Sequence, residues 1–323
     1  MKVESRCAEF SLLQRFPALV DLPRARLGAF PSPVARVETD IETDTGVLWI
    51  KRDDLNAATC GGNKVRALEY LLGAVGKNET ILTAGGDGST HVLATAIHGA
   101  RLGAETVAVR WRQEMHPVAD AVARRSTAAC ARTIRTQTVP GAFFRLALLR
   151  ATNPHYRYIA PGGATPLGTL GHVNAGLELA DQVAAGDLPE PSAVVVPLGT
   201  GATAAGLALG LGIARLSTRV IAVRVVPRVA FPGRRLHHLV AATRRLLADR
   251  AGVPAASLPA APVDLDHSAF AGAYGRPLPN ASSIPGLSLD ATYSAKAATV
   301  ATRYTRTTGA PVLFWLTFDA RCL

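Results

Sequence analysis

Several signatures of common chemistry are missing from these 323 residues. There is no GxxxxGK(S/T) loop, which argues against nucleoside triphosphate hydrolysis, and no GxSxG elbow for a serine hydrolase. The histidines are dispersed, with neither HExxH nor HxH, so no metal centre is expected. Four cysteines, Cys7, Cys60, Cys130 and Cys322, form no CxxC pair and show no zinc spacing. Without a secretory signal ahead of them they read as reduced thiols. Charged residues are scattered through the first nine positions, where an apolar signal core would stand. No uninterrupted apolar run is long enough to span a bilayer. The expectation is a cytoplasmic protein with no membrane partner.

Aromatic residues are also few, at 6%, yet 48% hydrophobic content against 18% charge describes a core-forming chain. Its length fits one large or two medium domains. Lys and Arg exceed Asp and Glu by 35 to 24, a net charge of +11. The densest arginine clusters are isolated pairs (Arg124-Arg125, Arg234-Arg235, Arg244-Arg245), and no nucleic-acid motif accompanies them. A solvated basic surface that attracts small anions is favoured over nucleic-acid binding.

Apolar, β-rich segments alternate with helical stretches. Strands are expected at 47–51, 80–84, 105–109, 193–197 and 220–225, with a helix over 91–101. This alternation predicts an α/β fold of parallel or mixed sheets with right-handed crossovers and flanking helices. Glycine-rich turns at strand C-termini are where such sheets bind ligands. Residues 254–285, rich in Pro, Ala and Ser, read as a long irregular connection.

The most informative run is Cys60-Gly61-Gly62-Asn63-Lys64-Val65-Arg66, where a lysine follows a glycine turn at a helix start. Beside the positive end of a helix and apolar surface, its ammonium form is disfavoured and its amine is freed to attack a carbonyl. The same residues also fit an ordinary turn with a solvated lysine. A second turn, Gly85-Gly86-Asp87-Gly88-Ser89-Thr90-His91, offers helix N–H groups and two hydroxyls to a carboxylate, or is simply a capped helix start. A third, Gly199-Thr200-Gly201-Ala202-Thr203, follows an apolar strand and precedes an Ala-rich helix, a good cup for a phosphate dianion. The turn Pro161-Gly162-Gly163 is a hinge or an anion-facing loop. Asp53 and Asp54, adjacent in sequence, are expected to point apart and anchor backbone and arginine groups.

In order, KRDDL (51–55), GGNKVR (61–66), GG..ST (85–90), PGGATPLGTLG (161–171), GTGATAAG (199–206), YG.P (274–277) and YSAKA (293–297) resemble the D-cysteine desulfhydrase and 1-aminocyclopropane-1-carboxylate deaminase family. The resemblance covers nearly the whole chain. It implies a tryptophan-synthase-β-like fold of type II, a pyridoxal 5′-phosphate cofactor, a small amino-acid substrate and a homodimer. By position, Lys64 resembles the lysine that holds the cofactor covalently, with Asn63 beside it. Gly199, Thr200, Gly201, Ala202 and Thr203 match the phosphate cup. Ser89 matches the serine that holds the substrate carboxylate and assists proton transfer, with Thr90 and His91 next to it. Tyr274 and Tyr293 match two tyrosines facing the substrate. A large cofactor domain of residues 1–67 and 159–323 and a small mobile domain of residues 68–158 are implied.

The chain also departs from that pattern. Thr90 stands where the family carries an asparagine beside the cofactor's phenolate oxygen. Leu316-Thr317-Phe318-Asp319 replaces His-Thr-Gly-Gly, leaving Thr317 as a candidate partner for the pyridine nitrogen. Ser294 occupies the place of a glutamate in the cyclopropane deaminases. A hydroxyl there does not hold the ring nitrogen protonated, which favours desulfhydrase-like β-elimination over ring opening. A cofactor-binding protein without catalysis is the remaining alternative.

Overall fold

The computed structural model describes residues 11–37, 46–228 and 233–323. Cys7 lies outside them. After a short helix α1 (Ser11–Arg15), strands β1 (Val34–Arg36) and β2 (Leu48–Arg52) lead to helix α2 (Asn63–Leu71). A run of alternating elements follows: β3 (Thr80–Gly86), α3 (Thr90–Arg101), β4 (Glu105–Trp111), α4 (Pro117–Ala129), β5 (Arg132–Thr136), α5 (Val139–Thr152) and β6 (Arg157–Tyr158). The chain continues through α6 (Pro166–Ala185), β7 (Ala193–Leu198), α7 (Ala202–Ile213), β8 (Arg219–Arg224), α8 (Gly233–Ala251), β9 (Val263–Asp266), α9 (Ser294–Thr308) and β10 (Val312–Leu316). Each expected strand is present, shifted or extended by at most two residues.

Among the described residues the strands form two sheets, ordered β1-β2-β10-β7-β8-β9 and β5-β4-β3-β6. Pairing is parallel except between β1 and β2. The central strands are buried on both faces, so their side chains alternate between two apolar layers. In β7, Val194, Val196 and Leu198 face one layer and Ala193 and Val195 the other. In β10, Leu313 and Trp315 oppose Val312, Phe314 and Leu316 in the same way. Strand β9 corrects the expectation of an irregular 254–285 connection. Val263-Asp264-Leu265-Asp266 alternates too briefly to stand out, but it has the edge of β8 to pair with.

A buried charge cluster ties α2 to the large sheet. The Arg66 guanidinium donates to both carboxylate oxygens of Asp53, at 2.8 and 2.7 Å, and to both of Glu178, at 2.8 and 3.0 Å. Trp315 donates its indole N–H to Asp53 at 2.8 Å. Lys51 lies 2.6 Å from Glu178 and bonds the Gln182 amide oxygen. Two cations and two carboxylates therefore cancel inside the core. Burial alone raises a carboxyl pKa, but Arg66 and Lys51 outweigh it and hold Glu178 down at about 2. Asp54 turns the other way and pairs with Arg52, 2.7 Å away. The two aspartates diverge as expected, within a single 3-10 turn (Asp53–Leu55) rather than an extended segment.

The four cysteines do not all stay reduced as expected. Cys60 and Cys322 are joined by a disulfide, their Cα atoms 4.7 Å apart. Residue spacing could not show this, because β10 carries the chain back onto the lysine turn from 262 positions away. Cys130 is a free thiol, pushed up to about 11 by burial.

Removing Arg66 strands two carboxylates beside Lys51 alone. Arg66→Met should cost about 3–5 kcal/mol of stability in urea unfolding. A loss below about 1 kcal/mol, the scale of an exposed pair, would show that the cluster is not what fixes α2.

Candidate active site

The lysine turn is set by its backbone. Gly62 has φ +119°, and a Cβ there would meet the Thr317 carbonyl oxygen at 2.6 Å, so only glycine fits. Asn63 donates its N–H to that same oxygen at 3.1 Å, Gly62 to Asp53 at 2.7 Å and Gly61 to the Asp319 carboxylate at 3.0 Å. Lys64 thus begins α2 as its second residue. Burial lowers its pKa to about 8.

The cup over residues 199–203 turns from β7 into α7. Its first N–H groups have no carbonyl one turn back and carry the positive end of the helix. Asn63 donates its side-chain amide to the Thr203 hydroxyl at 2.8 Å, which leaves the Thr203 proton for an anion in the cup. A Cβ on Gly199 would meet only the Tyr293 ring, at 3.8 Å, so the cup is open on that side. Gly162, at φ +69°, packs so closely that a Cβ would strike the Thr200 hydroxyl at 2.3 Å. The Pro161-Gly162-Gly163 turn is therefore a wall of this cup.

Helix α3 supplies the second N-terminus. Ser89 is its N-cap and accepts from the Val92 N–H at 3.4 Å, leaving its own proton free. Thr90 opens the helix. The Thr83 hydroxyl donates to the Ile159 carbonyl and so must accept from the His91 Nε2–H, 3.0 Å away. That fixes the tautomer and leaves Nδ1 a bare, buried lone pair. Burial, with Lys64 nearby, lowers the His91 pKa to about 3, so the ring stays neutral.

Opposite α3, the Tyr274 and Tyr293 hydroxyls hydrogen-bond to each other, their rings edge-on at 67°. Burial keeps both phenols protonated, with Tyr274 pushed up to about 12 and Tyr293 well above the usual phenol range. Asp290 accepts from the N–H groups of Tyr293 and Ser294, at 2.7 and 3.0 Å, and so sets the start of α9. The Ser294 hydroxyl is buried and has no hydrogen-bond partner.

Lys64, Asn63, Ser89, Thr90, His91, residues 199–203, Tyr274, Tyr293 and Thr317 all line one cavity of about 1520 Å³. Ser294 is not on its wall. Several wall residues carried no signal in the sequence: Trp111 and Arg135 lie at the ends of β4 and β5, Arg112 and Gln113 follow β4, and Phe143 is in a helix that reads as ordinary surface. Asp290 was detectable, since an Asp three residues before Tyr293 is a capping pattern.

A family model described as pyridoxal-phosphate dependent enzyme matches residues 26–274. The chain belongs to this family of enzymes. It is 36% identical over 273 residues to the nocardicin C-9′ epimerase of Nocardia uniformis subsp. tsuyamanensis, covering 79% of this chain and 80% of that one. With the D-cysteine desulfhydrase of Salmonella choleraesuis it shares 31% over 297 residues, 86% and 87% of the two chains. The fold matches the crystal structure of an ACC deaminase homologue at a TM-score of 0.77, with 24% identity and 96% and 94% coverage. The expected type II fold and cofactor thus hold for this pyridoxal-phosphate enzyme. An open helix-start cup, a free Thr203 proton and an amine with lowered pKa on the same cavity suit that cofactor.

Two outcomes are expected of the cofactor-free protein. Capture of pyridoxal phosphate needs the neutral amine of Lys64, so its rate should rise with pH and level off above about 8. Borohydride reduction and peptide mapping should then place the pyridoxyl group on Lys64, and an adduct on Lys51, Lys77 or Lys296 overturns the assignment. Replacing Thr200 and Thr203 together with Ala should weaken cofactor affinity by at least about tenfold, because bonds to a charged acceptor are worth about 1.5–3 kcal/mol each. Unchanged affinity means that the phosphate sits elsewhere.

Proposed function

We propose that the protein is a lyase that removes the α-proton of an amino acid and expels a β-substituent, as in D-cysteine desulfhydration. The observation that carries this reading is the single cavity shared by Lys64, the cup and the Ser89 turn. When bound, pyridoxal phosphate supplies an electron sink for the bond being broken at the α-carbon. The α7 N–H groups with Thr200 and Thr203 hold its phosphate. Ser89, Thr90 and the α3 N–H groups hold the substrate carboxylate. Lys64, as the neutral amine, takes the α-proton. The protonated Tyr274–Tyr293 pair has a proton to give the departing sulfur. For cysteine the balance is one water taken up, with pyruvate, ammonia and hydrogen sulfide released. The C–S bond breaks with its electron pair on sulfur, as the former C–H pair becomes the new double bond.

In this proposal residues 68–158 act as the small domain that closes on the substrate. Three contacts support it. His116 Nε2 lies 2.8 Å from the Thr292 hydroxyl, Arg276 donates to Glu114 at 2.8 Å, and the Glu114 N–H meets the Tyr274 carbonyl at 3.4 Å. The enzyme is read as a cytoplasmic homodimer. Among the described residues no helix is long and apolar enough to cross a membrane. Ser294 brings no carboxylate beside Tyr293, which supports elimination over cyclopropane cleavage, but its hydroxyl is buried off the cavity wall. A second reading, epimerisation at the α-carbon, draws support from the 36% identity to an epimerase, since both reactions begin with α-proton removal.

The holoenzyme should release 2-oxo acid from D-cysteine and turn over little 1-aminocyclopropane-1-carboxylate, and Thr90→Asn should speed the elimination. A preference for the cyclopropane substrate sinks the argument from Ser294. Exchange of the α-hydrogen in deuterium oxide with inversion and no 2-oxo acid selects the epimerase reading.

A further inference from the structure

Pockets that enclose a whole drug-sized ligand measure about 300–1,000 Å³. This cavity, at about 1520 Å³, is larger than a cofactor and cysteine require. The excess is not a gap between two sides standing apart, because Glu114, His116 and Tyr274 already join them on one flank. One stretch of the cavity's lining runs along the C-terminal ends of the small sheet, where Gly86 pairs with Trp111 and Trp111 with Thr136. Strands are about 4.8 Å apart, so this wall runs roughly 10 Å sideways from the Ser89 turn. A cysteine sulfur, two bonds from the α-carbon, does not reach that far.

The distal wall has its own chemistry. Trp111 and Phe143 stack with ring centroids 6.2 Å apart and planes 21° from parallel. Phe143 is 48% exposed, an apolar face open on the cavity. Arg112 and Arg135 flank it on the same wall. Of the nearby carboxylates, Asp87 is shared by Arg110 at 3.3 Å and Arg135 at 3.5 Å, and Glu114 is bonded to Arg276, so the three guanidiniums of Arg110, Arg112 and Arg135 exceed the one Asp87 carboxylate and the balance there is positive.

We propose that Trp111, Phe143, Arg112 and Arg135 form a specificity subsite for an elongated amino acid, one with a flat apolar substituent that ends in an anionic group. The inference rests on the reading that the amino-acid head is held at Lys64 and Ser89. The flat portion lies on the Trp111–Phe143 face, and the anion meets the two guanidiniums. In elimination the substituent leaves as its thiolate, in the same balance as cysteine.

S-(4-carboxybenzyl)cysteine, in D and L forms, is the probe, with D- and L-cysteine and S-benzylcysteine for comparison. Binding to the holoenzyme is followed by calorimetry, and α-hydrogen exchange in deuterium oxide is measured separately. The carboxybenzyl probe should bind at least about tenfold more tightly than cysteine, and the uncharged benzyl analogue in between. Phe143→Ala and Arg112→Gln, both on exposed positions, should each cut that preference by about fivefold. Equal affinities, a preference that neither substitution changes, or no binding of any probe overturns the subsite. Tight, Phe143-dependent binding without exchange of any α-hydrogen supports the subsite and overturns the reaction. Exchange of cysteine with no preference for the long probe does the reverse.

Discussion

The neutral cluster around Arg66 is the constraint on which the remaining structure depends. A guanidinium at this depth persists only because Asp53 and Glu178 both present two oxygens to it. Each partner comes from a different part of the fold: Asp53 from the turn after β2, Glu178 from α6 and Trp315 from β10. The cluster sets the rotation and depth of α2, and so determines where Lys64, two residues earlier, can point. Lys64 is placed by charges on the far side of its own helix.

From that placement the site follows as two helix starts converging on one space. The α7 cup presents donors of the kind that suit a dianion, and α3 donors of the kind that suit a carboxylate. The Asn63–Thr203 hydrogen bond couples the cup to the lysine turn. Between these electropositive ends the titrating groups are sorted by burial. Lys64 moves toward neutrality, His91 is kept neutral and the tyrosine pair is kept protonated. An amine that readily loses its proton and phenols that keep theirs therefore face the same cavity.

Much of this was legible in the sequence, for a physical reason. Strands such as β7 and β8 are buried on both faces and show as unbroken apolar runs, and turns that need left-handed backbone show as glycine. Of the thirteen expected site residues all but Tyr274, which lies in the irregular stretch between β9 and α9, sit at a strand end or helix start, where sequence and position are tightly linked. What stayed hidden depends on distant contact. Arg66 looks like any helix arginine until Glu178 is folded against it. Cys60 has no visible partner in sequence, and β9 is a strand only because β8 offers an edge. Trp111 and Phe143 belong to different elements, and only packing makes them one surface.

The clasp on the lysine turn has a temporal side. Asn63 is held by the Thr317 carbonyl, Gly61 by the Asp319 carboxylate, and Cys60 by Cys322, 262 residues downstream. Lys64 is made long before residues 317–322, yet the turn that carries it has its full set of contacts only once those residues fold back onto it. The turn is a long-range structure: taking away residues 317–322 would remove its acceptors and its disulfide partner while leaving every residue of the lysine run in place.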